Sequence, residues 1–116
     1  MRNVRDSRLV GSEAFALAKS RVAVSKPLSQ AEWLQAEEEL GCILVGFKEA
    51  LYRAHNISEH EYRICLLVKM GFSNKEIGIL ICRAANAVSL ARKRLSKKLT
   101  GRDGTASDFD DLIKSL

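Results

Sequence analysis

A Ser followed three residues later by Glu stands at three joints of this chain: Ser29 with Glu32, Ser58 with Glu61, and Ser73 with Glu76. Each pair has the form of a capping box. The Ser oxygen takes an otherwise unpaired backbone N–H, and the Glu carboxylate reaches back to the N–H of the Ser. Three helix starts are thereby fixed before any packing is considered. Between them apolar residues recur at spacings of three and four, and strand-type Val/Ile alternation is confined to the short RVAVS run at residues 21–25. The chain therefore reads as all-α.

With 116 residues there is material for about one domain and one modest core. A hydrophobic content of 47%, one proline and seven glycines fit an ordered, helix-rich chain. The longest apolar run near the N-terminus is interrupted by Lys19 and Arg21, so neither a signal peptide nor a membrane span is expected, and a cytoplasmic location is. Cys42, Cys65 and Cys82 are odd in number, lack CxxC spacing and lie in apolar contexts, which predicts reduced core thiols. His55 and His60 have no companions at metal-ligand spacing, and the chain has no P-loop, GxSxG or GxGxxG. No metal, cofactor or catalytic apparatus is expected.

The periodicity predicts a first helix over residues 7–21, with Val10, Ala14, Leu17 and Ala18 on one face, stopped by Lys26-Pro27. A second stretch follows Ser29 and places Trp33, Ala36, Leu40, Ile43, Phe47, Leu51 and Ala54 at helical spacing, as one helix or as two broken near Gly41 or Gly46. Trp33 and Phe47 read as core, and Glu37, Glu38 and Glu39 as a solvated face able also to cap a helix dipole. A third helix spans residues 59–70, with Ile64, Cys65, Leu67 and Val68 inward and Gly71 as a left-handed cap. The chain divides into an N-terminal helical segment, 1–56, for packing or dimerisation, and a segment 57–116 that carries the more specific signal.

From Ser73 a helix of about two turns, NKEIGILI, is followed by a tight turn at residues 82–85 and a longer helix at 86–99, the layout of a helix-turn-helix. Gly78 lies inside the short helix at a cost of about 1 kcal/mol relative to alanine. Close contact with the following helix is the expected compensation. On that helix Val88, Ala91, Leu95 and Leu99 share one face, joined by Ala84 from the turn, while Asn86, Ser89, Leu90, Lys93 and Lys97 point away. Residues 83–102 contain seven Arg or Lys and no acid, in a chain of formal charge +5, leaving −2 on the rest. A basic stripe on a nearly neutral body is the electrostatic footprint of a docking face for a polyanion. Solvated helical faces usually mix Glu with Lys, and this one does not.

The segment ISEHEYRICLLVKMGFSNKEIGILICRAANAVSLARKRLSKKL resembles the LuxR-type helix-turn-helix domain of bacterial regulators, a winged-helix-like superfamily domain related in shape to region four of sigma factors. Ser58 and Glu61 match its LSxxE opening, residues 71–77 its GxSNKEI core, and Val88 with residues 94–99 its recognition helix and basic end. The IC, CR, ARKRL and GxxGTAxDFD elements look like the variety found in Bacteroidetes, and the resemblance covers residues 33–116. It implies a four-helix domain that binds promoter DNA, usually as a dimer, with Asn86, Ser89, Leu90 and Lys93 at the base-reading positions. Phosphate contacts are then expected from Arg83, Arg92, Arg94, Lys97, Lys98 and Arg102, and from the helix N-terminus at Ser73.

The chain departs from the pattern at Ala84 and Ala85, where a Ser or Thr cap is usual, and Asn86 is a candidate replacement cap. Ala91 and Gly78 stand where His and Ala are frequent. Beyond Gly101 and Gly104, Thr105 or Ser107 opens a last short helix with Phe109, Leu112 and Ile113 on one side and Asp108, Asp110 and Asp111 among its polar residues. That helix is expected to dock on the body of the same chain or on a second subunit. The sequence thus implies a sequence-specific transcriptional regulator, with double-stranded DNA, a second copy of the chain and RNA polymerase as candidate partners. The alternative is a protein-interaction module whose basic helix meets an acidic protein.

Overall fold

The three Ser-x-x-Glu boxes close as the sequence predicts. The N–H groups of Glu32, Glu61 and Glu76 donate to the Ser oxygens at 3.1, 3.1 and 3.2 Å, and each Ser N–H donates to its Glu carboxylate at 2.9 Å. The computed structural model describes residues 7–54 and 57–101, together with Ile113. Among these residues there are seven helices and no strand: α1 Ser7–Val10, α2 Glu13–Ala23, α3 Gln30–Ile43, α4 Phe47–Ala54, α5 Glu59–Lys69, α6 Asn74–Ile81 and α7 Ala85–Thr100. The protein is all-α. None of the described helices is long and apolar enough to cross a membrane.

The single N-terminal helix expected over residues 7–21 is two helices. Ser12 breaks it: its hydroxyl donates to the Leu9 carbonyl (2.7 Å) and accepts from the Phe15 N–H (3.0 Å), capping α2. The restart shifts the apolar face by one residue, so Leu9 is buried while Val10 is 42% exposed. Glu39, from the acidic run on α3, completes the cap by accepting from the N–H groups of Glu13 (2.9 Å) and Ala14 (2.7 Å). An anion at those N–H groups is favoured by hydrogen bonding and by the helix dipole together.

The second stretch is likewise two helices. Gly46, at φ +84°, makes the bend between α3 and α4, a conformation that costs a residue with a Cβ. Gly41 stays inside α3, and Gly71 takes φ +91° after α5 as expected.

α5 lies at the centre. Tyr62, Ile64, Cys65, Leu66, Leu67 and Val68 are all buried, and a helix apolar around most of its circumference must be wrapped by its neighbours. The wrapping comes from both sides of the 56/57 division, because one cluster of buried side chains runs from Leu9 through Trp33, Leu40 and Phe47 to Ile77, Val88, Leu95 and Ile113. Phe15 of α2 meets Phe72 with ring centroids 5.4 Å apart, and the Leu28 N–H donates to the Leu80 carbonyl at 3.1 Å. The two segments share one core. Trp33 and Phe47 belong to it, as expected.

Only one of the three cysteines does. Cys65 is buried, and burial pushes its thiol up to about 12, whereas Cys42 and Cys82 are exposed. The apolar neighbours that predicted burial of those two are themselves turned inward, at Ile43 and Ile81, and direct the thiols outward. The last helix proposed from the sequence lies outside the described residues except for Ile113, which is fully buried in this same core and whose carbonyl accepts from Lys69 Nζ (3.4 Å).

The tightest backbone approach is at Gly78. A Cβ there would lie well inside van der Waals contact of the Arg83 carbonyl oxygen, with the Ala84 carbonyl carbon at 3.6 Å. The compensation for glycine in mid-helix is therefore the turn backbone, rather than contact with α7 that the sequence led us to expect. Gly78→Ala should cost about 1–3 kcal/mol, read as a lower urea midpoint at unchanged m-value, because the atom that must yield is main chain.

Candidate nucleic-acid interface

α6, the turn and α7 form one unit through backbone bonds. Cys82 ends α6 in the left-handed region (φ 61°, ψ 50°), and the next residue, Arg83, donates its N–H to the Gly78 carbonyl at 2.8 Å. Ala84 then turns extended (φ −70°, ψ 151°) and opens α7. The 16 residues of α7 span about 24 Å, long enough to cross a major groove.

Ala84 is the N-cap of α7 and supplies no side-chain hydrogen bond. Asn86 does not take over that task. It sits one residue inside the helix with its side chain exposed, which leaves its amide available to a partner. Ala84 itself is exposed and does not join the inward face as expected.

Val88 and Leu95 are fully buried and Ala91 and Leu99 partly so, which places the inward face of α7 where the periodicity predicts it. The opposite strip carries the four expected base-reading positions: Asn86 and Lys93 are exposed, Leu90 is 49% exposed, and Ser89 is half-buried. They share one side of the helix.

The expected phosphate contacts divide. Arg83, Arg94 and Lys97 are exposed, and among the described residues no acid lies within ion-pair distance of Arg83 or Arg94. Lys98 is engaged by Glu61, with Nζ 3.0 and 3.3 Å from its carboxylate oxygens, and so ties α7 to the start of α5. Arg92 does not lie on a flank. It is buried (4% exposed), its guanidinium donates to Asn74 Oδ1 at the start of α6, and burial pulls its pKa below the ordinary arginine value. Four residues after Val88, it falls on the inward face by the same helical spacing that identified that face, a signal its charge obscured. Ser73 is exposed, but Glu76 occupies its N–H and hydroxyl oxygen, so a phosphate arriving there would meet a carboxylate. Arg102 lies outside the described residues.

Sequence reasoning passed over two residues that shape this surface. Arg63 of α5 bonds Glu37 (2.8 Å) and Glu59 (2.7 Å) and lies over the Trp33 ring, 5.0 Å from its centroid, fixing α3 against α5. His60, set aside for want of metal partners, lines an open groove of about 480 Å³ between the start of α5 and α7. Arg83, Leu90 and Arg94 line the same groove. His60 is exposed, but partial desolvation in the groove, and then the charges of Arg83 and Arg63, hold its pKa below the ordinary imidazole value, with Glu61 acting the other way.

Compared with family models, with curated proteins and with solved structures, the chain matches none.

Because Ala84 already has the extended backbone of a capping residue, Ala84→Ser should stabilise the protein by about 0.5–2 kcal/mol, seen as a higher urea midpoint. An unchanged or lower midpoint would show that the first turn of α7 has its N–H groups satisfied by other means.

Proposed function

We propose that this chain is a sequence-specific DNA-binding transcriptional regulator of the LuxR type, which places α7 in the major groove and acts as a homodimer. The observation that carries the reading is the acid-free outward side of α7. Lys93, Arg94 and Lys97 are exposed there beside Asn86 and Leu90, and Arg83 is exposed in the preceding turn. The side chains suit the chemistry. Asn can bond an adenine edge in bidentate fashion, Lys the O6 and N7 acceptors of guanine, Ser either base type, and an exposed Leu can touch a thymine methyl. Arg83 and Arg94, which line one groove beside that strip, suit phosphates, which fix register without reading sequence.

The helix is held for this task. Its inward face is anchored by Val88, Leu95 and the buried Arg92 bonded to Asn74, its start by the Gly78–Arg83 juncture, and its flank by Lys98 on Glu61. A reading helix needs such support, because a side chain misplaced by an ångström loses a bidentate bond to a base. In a dimer two copies of α7 about 34 Å apart would meet successive major grooves on one side of the duplex and favour a palindromic site.

Two variants separate readers from anchors. On duplexes selected from a random pool, Lys93→Ala should lose about 1–3 kcal/mol of discrimination at one base position, while Arg94→Ala should weaken binding to every duplex alike. Uniform weakening by both would contradict the assigned roles. Failure of the wild-type chain to enrich any sequence would contradict the proposal itself.

A further inference from the structure

The groove between the start of α5 and α7 has an apolar floor and a cationic rim. Val88 and Ala91 form part of its floor, Arg83 comes from the turn, Arg94 from α7 and His60 from α5. Three nitrogen-rich side chains from three different elements thus line one groove, alongside Leu90 of the outward strip. The acid in the groove, Glu61, is already held by the Ser58 N–H at 2.9 Å and by Lys98 at 3.0 Å.

We infer that this groove seats a phosphate of the DNA backbone, with His60, Arg83 and Arg94 as its cationic contacts, and that duplex binding is coupled to protonation of His60. The inference rests on the DNA-binding reading and adds a site and a regulation to it. In the free protein, partial desolvation and the like charges of Arg83 in the turn and Arg63 on its own helix disfavour the His60 proton, with Glu61 as the opposing charge, and Arg94 lines the same groove. A phosphate between His60, Arg83 and Arg94 reverses the balance. It screens the two arginines and adds a negative charge of its own, so the bound complex holds the imidazolium proton more tightly than the free protein does. By linkage, affinity rises as pH falls through the imidazole range. Stability of the free protein runs the opposite way, because a His pKa lowered in the folded state makes the unfolded chain bind more protons as pH falls.

The test is binding of a mixed-sequence DNA duplex of about 24 base pairs, long enough for two half-sites, followed by fluorescence anisotropy from pH about 5.5 to about 7.5 at constant ionic strength. The wild-type chain should bind about three- to tenfold more tightly at the low end than at the high end. His60→Gln should show a flat profile that joins the wild-type values near the high end, and His60→Lys a flat profile at the tighter level. Circular dichroism confirms that each variant is folded, which is expected because His60 is a surface residue. Tight binding by the wild type with no pH dependence, or the same pH dependence in His60→Gln, overturns this inference and leaves the DNA-binding reading standing. No binding by any variant at any pH overturns both.

Discussion

The geometry of the candidate reading helix depends on one backbone approach, that of Gly78 to Arg83. Two helices joined by a three-residue turn can meet at a steep angle only if the first lets the turn fold back on it. Here the Arg83 carbonyl occupies the place of the missing Cβ while the Arg83 N–H bonds the Gly78 carbonyl at 2.8 Å. Cys82 accepts a left-handed conformation to make this possible. The direction of α7 follows, and with it which residues face the core and which face outward.

That unit would not hold its shape alone, since α6 has eight residues and short helices are marginal without tertiary packing. The N-terminal helices supply the packing. α2 meets the α5–α6 region through Phe15 and Phe72, Leu28 bonds the Leu80 carbonyl near the end of α6, and α3 is fastened to α5 by Arg63, which bridges Glu37 and covers Trp33. Glu39 in turn caps α2. Glu37 and Glu39 of the acidic run on α3 thus each have a structural use.

Where local chemistry decides, the sequence was legible. The three capping boxes, the left-handed Gly71, the short helix, turn and long helix, and the Val88/Leu95 face all stand where residue spacing places them, because each depends on side chains a few positions apart. What failed depends on contacts between distant segments. The charge of Arg92 suggests a phosphate contact on the helix flank, but Asn74 on another helix offers it a buried partner. The burial expected of Cys42 and Cys82 followed from their neighbours in the chain, whereas exposure is set by which way each helix faces. Glu39, Arg63 and His60 gain their meaning only once α2, α3, α5 and α7 lie together.

The surface that remains is a packed helix and its preceding turn, on which, among the described residues, no acid lies within ion-pair distance of the exposed Arg83 and Arg94. Its most direct test is the salt dependence of duplex binding by the full chain. If the chain binds as the proposed dimer, with Arg83, Arg94 and Lys97 of each protomer on phosphates, about six phosphates would be neutralised, and log K should fall with log salt with a slope near −5 between about 50 and 200 mM. A slope near zero, or no duplex binding at the lowest salt, would contradict the account.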